Sequence, residues 1–409
     1  MRGRPNLFIR YEAEMSLFPS WSQRLWVLVL AAFALLVPLG GVPFLSFLGD
    51  AGWLLVINRG LVFVVAALGL NLLTGVAGQV SLGHAFFMAV GAYTAVVLGG
   101  DAGKTIWGLG LPIWVWLPAA GIVAALVGTI VAPTAVRVRG LYLAFVTLGL
   151  VFIGLHLWRN FGKVAGGPTT GREWPALELA LWRGEPLISF SKPGSWFGIE
   201  LTAAAKTYFL LFVIAIAFAF LSKNLMRTRI GRSWASIRDR DIAAEVMGVN
   251  ESRSKLQAFA ISSFYAGVAG GLYGAVLGRV IPESWDLLLS VEFIAIVLIG
   301  GAGTVAGTLL GTFFVVLTPR IVEDLTLWLA TQAEGSGALS SIANLVVATS
   351  SNDFGLVSTG ATGPGLSIFQ LNIVLFGVLI IVFLIAEPLG LFGIWIRVKN
   401  YWKGWPFTY

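Results

Sequence analysis

The chain has 409 residues, of which 57% are hydrophobic and only 11% are charged, and it carries a formal net charge of +7. Soluble domains carry about 25% charged residues, so this composition excludes an ordinary soluble protein and indicates a membrane protein. The chain contains no cysteine, which excludes disulfides and thiolate metal sites.

Ten apolar segments are predicted to lie in the membrane, since one helical span needs about 20 residues. The first segment continues past Pro38 without a small-residue cleavage site, so we interpret it as a retained span and not as a signal peptide. The third, eighth and ninth are short enough to be broken or re-entrant. The predicted fold class is an all-α polytopic membrane protein with segments 25–48, 54–74, 84–99, 112–132, 141–158, 206–222, 256–277, 289–300, 304–318 and 370–386.

Charge is divided unevenly between the two sides of this topology. Segments 1–24, 133–140, 223–255 and 387–409 together hold 17 Lys and Arg and 7 acidic residues, a net charge of +10, whereas the rest of the chain has a net charge of −3. Because cytosolic loops carry an excess of Lys and Arg, we expect these four segments, and therefore both termini, in the cytosol. Topology accounts for the basic charge, and no nucleic-acid partner is predicted.

Residues 223–255 form a charged island between two apolar segments and hold 12 of the chain's 47 charged residues. A charge at the centre of a span costs about 2.5–3.5 kcal/mol, so this island is expected in water. Within it, Asp241 can cap a helix of about two turns that Gly248 ends. A solvated basic loop that only sets the topology is the alternative.

Two long loops, 159–205 and 319–369, are predicted on the outer face. The first carries mixed charges with Gly and Pro. The second begins with a predicted interfacial helix, Pro319 to Gln332, and continues into a Gly/Ser/Thr-rich run that is either a flexible loop or part of a docking surface.

Glycine-rich sequences interrupt the apolar pattern twice. Gly75-Val-Ala-Gly-Gln-Val-Ser81 follows the second segment, Gly300-Gly-Ala-Gly-Thr-Val-Ala306 follows the eighth, and four of the seven positions are identical. Paired interruptions in the two halves of a transporter indicate its pathway; close helix packing through small residues is the alternative. We therefore predict that the breaks at 75–83 and 300–307 lie near the pathway, with polar groups from Asn71, Thr74, Gln79, Ser81 and His84.

Two motifs resemble nucleotide sites but lack the required context. The run Gly99–Thr105 has Leu98 where a phosphate-binding loop needs Gly, and Gly301–Ala306 imitates a dinucleotide fingerprint without a βαβ unit. His84 and His156 have no carboxylate nearby in sequence to complete a metal site or a triad. No catalytic residue, metal site or cofactor is predicted.

Few ionisable side chains fall inside the predicted spans, and Glu292 and Glu387 are marginal cases near segment ends. An ion-coupled secondary carrier often keeps a carboxylate in the membrane for its coupling ion. The scarcity of such groups disfavours that class.

Several runs of the chain form a pattern that is typical of one family. The longest is Ala67-Leu-Gly-Leu-Asn71-Leu-Leu-Thr-Gly75-Val-Ala-Gly-Gln79-Val-Ser-Leu-Gly-His84-Ala-Phe86, and shorter runs are Val138–Leu148, Gly166–Gly171, the stretch Gly231–Gly311 and Glu387–Gly393. Together they resemble the membrane permease subunit of branched-chain amino-acid ABC importers, in its longer M-type. The chain departs from the family in having about 50 residues at 319–369, and Glu387 where a basic residue is common.

The resemblance implies an ABC importer permease fold with a cytosolic segment 1–24, a transmembrane domain 25–394 and a cytosolic tail 395–409. It implies a bacterial inner-membrane subunit that forms half of a translocation pathway, with a second homologous permease, two cytosolic ATPases and an extracytoplasmic binding protein as partners. Branched-chain or related amino acids are the implied solute, and Gln79 is similar to that branch. Urea or short-chain amide permeases are close relatives, and a secondary carrier or a non-transporting scaffold are rivals from other classes.

The resemblance also gives the charged island a role. Permeases of this kind place a short cytosolic helix with a Glu-Ala-Ala-x-x-x-Gly pattern in a groove of the ATPase, and Ile242–Gly248 matches this pattern except at its first position. The implied ATPase-coupling residues are Arg238, Arg240, Asp241, Ala243, Ala244 and Gly248.

Overall fold

The structure is a computed structural model that describes residues 21–40, 46–103, 106–138, 140–167, 170–180, 187–196, 198–333, 347–348, 357–358, 366–387 and 389–404. Predictions for residues 1–20 and 405–409, and for most of the Gly/Ser/Thr-rich run, lie outside the described residues.

Helices account for nearly all regular structure in the described part of the chain. In chain order they are α1 Trp21–Leu36, α2 Ala51–Leu70, α3 His84–Gly99, α4 Ile113–Arg137, α5 Leu141–Asn160, α6 Gly162–Ala165, α7 Ala203–Arg227, α8 Arg229–Asp239, α9 Asp241–Val246, α10 Glu251–Leu277, α11 Leu287–Gly300, α12 Val305–Ala333, α13 Ile368–Ala386 and α14 Gly390–Gly404. A π-helical turn, Asn71–Val76, continues α2, and 3₁₀ turns occupy Val37–Leu39, Ser46–Gly49 and Pro282–Trp285.

Among the residues that the structure describes, six helices are long and apolar enough to cross a membrane: Ala51–Val76, Ile113–Thr134, Tyr142–Asn160, Ala203–Arg227, Glu251–Leu277 and Val305–Ala333. Shorter apolar stretches lie at Leu28–Leu39, His84–Gly99 and Ile373–Phe383. Each of the ten predicted segments overlaps one of the helices. The prediction of an all-α polytopic membrane protein is confirmed.

The core is centred on α10, which packs against α2, α3 and α4. Small residues allow the backbones to approach closely at these crossings. A Cβ added at Gly91 of α3 would lie 2.1 Å from the Gly267 carbonyl oxygen, and one at Gly270 would lie 1.9 Å from the Met88 carbonyl oxygen. Close helix packing of this kind is a common way to associate helices in lipid, where no hydrophobic force drives them together.

Three predicted boundaries are wrong. The first helix ends at Leu36, where Val37–Leu39 forms a 3₁₀ turn and Gly40 adopts a φ of +61°. The ninth segment is not short, because α12 continues through Pro319 to Ala333, so the predicted interfacial helix is its second half. Ion pairs from Arg320 to Glu323 and Asp324 lie along this continuation. The boundary at 394/395 falls inside α14.

Short strands that were not predicted from the sequence lie in the two long loops and, for β6, in the connection between α10 and α11. In the described residues, three antiparallel pairs join β1 Arg172–Glu173 to β6 Arg279–Val280, β2 Glu178–Leu179 to β3 Ile188–Ser189, and β4 Gly194–Trp196 to β5 Ile199–Leu201. A parallel set comprises β7 Val347–Ala348, β8 Val357–Ser358 and β9 Leu366–Ser367.

Contacts gather the connections between helices into two groups. Gly140 and Ile237 line one cavity, and Gly75 contacts Arg238 and Gly303, so these connections share one end of the bundle. We call this end the basic face because it includes the charged island. At the other end, β1 pairs with β6, and Arg159 forms an ion pair with Glu283.

Candidate gating junction and coupling helices

Both glycine-rich breaks turn the chain at the basic face. After α2, the π-helical turn ends at Val76 and the Gln79 N–H donates to the Leu73 carbonyl at 3.0 Å. Gly78 then adopts a φ of +68°, and Gly303 adopts a φ of +81° in the second break. These two glycines occupy the same position of the aligned seven-residue motifs. The left-handed backbone at both positions favours glycine and supports the interpretation of the motifs as a repeat.

The two breaks bind each other through Asn71. Its Oδ1 accepts a hydrogen bond from the Gly303 N–H at 2.7 Å, and its Nδ2 donates to the Thr304 carbonyl at 3.2 Å. Asn71 is fully buried, so both ends of the amide are used for holding one break against the other. A Cβ added at Gly75 would lie 2.2 Å from the Asn71 Oδ1 and 2.3 Å from the Gly303 nitrogen, and only glycine fits there.

Arg238 of α8 ties the charged island to this contact. Its Nη1 donates to the Gly75 carbonyl at 2.8 Å, and its Nη2 lies 3.0 Å from a carboxylate oxygen of Asp239. A Cβ at Gly303 would lie 3.4 Å from the same Nη1. We call Asn71, Gly75, Arg238, Gly303 and Thr304 the junction. It joins the ends of two membrane helices to the charged island.

The other predicted pathway residues make hydrogen bonds with the backbone. The Thr74 hydroxyl donates to the Gln79 carbonyl at 3.1 Å, and the Gln79 amide donates to the Ala77 carbonyl at 3.2 Å. The Ser81 hydroxyl accepts from the Gly83 N–H at 3.3 Å, and His84 Nε2 lies 2.8 Å from the Ala66 carbonyl. In this conformation these groups shape the first break, and their role towards a solute stays a prediction.

The predicted short helix forms as α9 and ends near Gly248. The predicted cap is wrong: Asp241 is the first residue of the helix, and Arg240 holds the N-cap position without a side-chain cap hydrogen bond. The Asp241 carboxylate accepts a hydrogen bond from the neighbouring Ile242 N–H at 2.9 Å. At the other end, Gly248 adopts a φ of +86° and the Val249 N–H bonds back to the Ala244 carbonyl, a turn typical of helix C-termini. Arg240, an exposed residue, separates α8 from α9 with an extended backbone.

The exposure of α9 changes which side chains can contact a partner. Ala243 and Gly248 are exposed, but Ala244 is only 4% exposed and is buried within this chain. The predicted contact through the Ala244 side chain therefore needs correction. The neighbouring apolar side chains Ile242, Val246 and Met247 are exposed, the last two at 82% and 83%.

A small cavity separates the first break from the charged island. It has a volume of about 110 Å³ and is lined on one side by Gly78 and Gln79 and on the other by Asp241, Glu251 and Lys255. Ligand pockets usually enclose about 300–1,000 Å³, so this crevice is too small for a typical solute.

Two ion pairs outside the junction involve residues to which the sequence alone gave no role. Glu387, at the position of the family departure, pairs with Arg397 of α14. Glu292 of α11 pairs with Arg59 of α2, whose Nη2 lies 3.2 Å from both carboxylate oxygens. Arg59 was not singled out, although its position inside an apolar segment is itself a signal of function.

Comparison with known proteins agrees with this architecture. A profile of the family described as "Branched-chain amino acid transport system / permease component" matches residues 53–348, which contain both breaks and the helices α8 and α9. The chain belongs to this permease family. No solved structure matches it.

Relatives with curated names include the high-affinity branched-chain amino acid transport system permease protein LivM of Salmonella typhimurium and that of Escherichia coli K12. Each is 32% identical over 289 residues, which span 66% of this permease and 66% of the relative. A probable branched-chain amino acid transport permease protein, LivH of Methanocaldococcus jannaschii, is 23% identical over 71% of this chain and 87% of its own. These matches confirm an integral membrane permease of the ABC transporter class, similar to the M-type.

Proposed function

We propose that this permease forms half of the translocation pathway of an ATP-driven importer in the bacterial inner membrane, with the basic face in the cytosol. The hydrogen bond from Arg238 to the Gly75 carbonyl carries the proposal, because it links the charged island directly to the first break, which Asn71 in turn bonds to the second. A second homologous permease would supply the other half of the pathway.

The exposed apolar side chains of α9 support docking of a cytosolic ATPase. Ile242, Val246 and Met247 lie in a segment that is otherwise strongly charged. Exposed apolar residues on such a short helix would gain hydrophobic stabilisation in a partner's groove. Arg240, Asp241 and the small residues Ala243 and Gly248 would lie at the edge of this contact.

Movement of the docked ATPases would reach the pathway through the junction. A shift of α8 would move Arg238 and pull on the Gly75 carbonyl through their hydrogen bond. This movement would weaken the hydrogen bonds of Asn71 with Gly303 and Thr304. Because α2 and α11 both end at this contact, their ends separate when it opens. ATP binding and hydrolysis would thereby switch access between the two faces, in step with an extracytoplasmic binding protein.

The solute is a branched-chain or related amino acid under this proposal, in keeping with the names of the relatives. Co-expression with the adjacent permease, ATPase and binding-protein genes, followed by reconstitution, allows uptake to be measured. We expect ATP-dependent uptake of leucine and isoleucine that an uncoupler leaves intact. Uptake of urea or acetamide instead would support the amide-permease alternative, and uncoupler-sensitive uptake without ATPases would support a secondary carrier.

Docking of the ATPase is tested by Val246→Asp and Met247→Asp, which place a charge on the exposed surface without altering the chain's interior. We expect ATPase co-purification and uptake to fall about tenfold or more, whereas the permease still folds and inserts. Glu245→Gln, a change at an exposed polar neighbour, is the matched control. If both aspartate variants co-purify with as much ATPase as the wild type does, α9 is not the docking site and the charged island only sets the topology.

Orientation is tested by cysteine labelling, since the native chain has no cysteine. Ser252→Cys and Lys399→Cys should both react with an impermeant reagent only from the cytosolic side, and Glu200→Cys only from the outside. Labelling of Ser252→Cys and Lys399→Cys from opposite sides would contradict the proposed topology.

A further inference from the structure

A charged pair lies on the surface of the membrane region, away from the basic face. Arg59 and Glu292 have side chains that are 40% and 22% exposed in this chain. Arg59 follows the start of α2 by eight residues and precedes Asn71 by twelve, which places it about 12 Å from the helix start and about 18 Å from the junction. Charged groups within spans almost always face protein or a water-filled cavity and not lipid.

The geometry of the pair leaves hydrogen-bonding capacity unused. A single nitrogen, Arg59 Nη2, serves both Glu292 oxygens at 3.2 Å, whereas the strongest Arg–carboxylate pairs use two nitrogens. Arg59 Nε has no hydrogen-bond partner, but it is buried and out of reach of a ligand. The guanidinium lies 4.8 Å from the centre of the Phe63 ring. The Arg59 side chain as a whole is 40% exposed, so a ligand would bind at the exposed part of this side chain.

Apolar side chains lie next to the pair on the side away from the junction. Leu55 precedes Arg59 by one helical turn, and Leu288 precedes Glu292 by one turn; both are exposed. Because α2 and α11 both end at the junction, they run in the same direction, and residues four apart share a helix face. Both leucines consequently lie on the outer side of the charged pair.

We propose that Arg59 and Glu292 form a binding subsite for an apolar α-amino acid in its zwitterionic form. The ligand's carboxylate binds Arg59, its ammonium group binds Glu292, and its side chain packs against Leu55 and Leu288. The inference rests on the proposed function, in which the second permease covers this face and completes the pathway.

The chemistry of the pair selects this class of ligand. A zwitterion offers both charges and has no net charge, so it exchanges one ion pair for two without leaving a charge uncompensated. Urea and simple amides are uncharged and gain little from opening the pair, and a single ion would leave one of the two protein charges unpaired. The subsite lies towards the outer end of the pathway, and the junction lies beyond it.

The test uses the assembled importer in lipid nanodiscs without its binding protein, with tritiated leucine as the probe in an equilibrium binding assay. Arg59→Gln and Glu292→Gln should each weaken leucine binding about 10- to 100-fold, because each loses a charged hydrogen-bond partner. Arg320→Gln, which removes the two ion pairs to Glu323 and Asp324 within α12, should leave binding unchanged. Co-purification of the ATPases and elution as a single species show that each variant is assembled.

Competition with two leucine analogues separates binding from a structural role. Isocaproate lacks the ammonium group and should lose most of its competition in Arg59→Gln but little in Glu292→Gln. Isoamylamine lacks the carboxylate and should show the reverse. A purely structural pair would not produce opposite preferences in the two variants.

Three results would overturn the subsite. These are wild-type leucine affinity in both single variants, no leucine binding to the wild-type complex at millimolar concentration, and full recovery of binding when Arg59→Glu and Glu292→Arg are combined. The last result would show that only the ion pair matters. ATP-dependent leucine uptake by the wild-type importer is measured in parallel, so failure of the subsite is distinguished from failure of the proposed function.

Discussion

The junction lies at the end of α2 and the Arg59–Glu292 pair lies near its middle, and the two regions differ in how fully their polar groups are used. At the junction, both ends of the Asn71 amide and the Gly75 carbonyl have hydrogen-bond partners within this chain. At the pair, a single Arg59 nitrogen serves both Glu292 oxygens, and the two side chains are 40% and 22% exposed. A closed set of bonds suits a mechanical joint, whereas an open one suits a binding site. The difference predicts that stability depends on the first region and solute recognition on the second.

Gly75→Ala should have the largest effect on stability. Its Cβ would collide with the Asn71 Oδ1 and the Gly303 nitrogen, neither of which can move without opening the junction. Overpacking of this kind costs about 1–3 kcal/mol, and we expect the upper end of that range as a lower melting temperature in detergent. Gly149→Ala, in α5, is the control because a Cβ there has nothing within 4 Å. Equal melting temperatures for the two variants would contradict the close approach.

Asn71→Ala should have the next largest effect. It leaves the part-buried Gly303 N–H without its partner, and an unsatisfied group of this kind costs about 1–3 kcal/mol. The Thr304 carbonyl loses one hydrogen bond but keeps those from the N–H and hydroxyl of Thr308. Thermal unfolding of the purified permease measures the loss. Asn160→Ala is the control, since the Asn160 amide is exposed and bonds only within its own helix turn. If Asn71→Ala is as stable as wild type, the two breaks do not depend on this amide.

Arg238→Gln should cost less stability but more activity. The side chain is partly exposed, so water can replace it at the Gly75 carbonyl, and the loss should stay below about 1.5 kcal/mol. Coupling should be lost, so that the assembled importer hydrolyses ATP with little uptake. The ratio of solute imported to ATP hydrolysed is the measurement, and Arg232→Gln, another basic change in α8, is the control. An unchanged ratio would show that Arg238 does not take part in coupling ATP hydrolysis to uptake.

Replacing Arg59 and Glu292 together with Gln should have the smallest effect on stability. Partly exposed ion pairs contribute about 0–1 kcal/mol, and removing both charges leaves neither one unpaired. Thermal unfolding of the double variant should thus match wild type closely. A loss as large as that of Asn71→Ala would mean that this region is as structural as the junction, and the contrast between the two would disappear.

Much of the fold could be predicted from the sequence because its signals are local. Long apolar runs predict spans, since a membrane helix satisfies its own backbone groups, and Gly248 predicts the end of α9 from its backbone freedom alone. Local signals fail where two influences compete. Pro319 indicates a helix end, but in the structure α12 continues past it to Ala333.

Which polar residues meet was decided by the tertiary structure. The sequence identified Asn71, Gly75 and Gly303 as members of two breaks, and it placed Arg238 in a charged island, but nothing in it shows that these residues contact one another. Their contacts join positions more than 160 residues apart, and such pairing depends on how α2, α8 and α11 pack. The same holds for Arg59 and Glu292, and for the burial of Ala244 beside the exposed Val246. Residue type and local pattern determine which groups are available, and helix packing decides which of them are left for partners and solute.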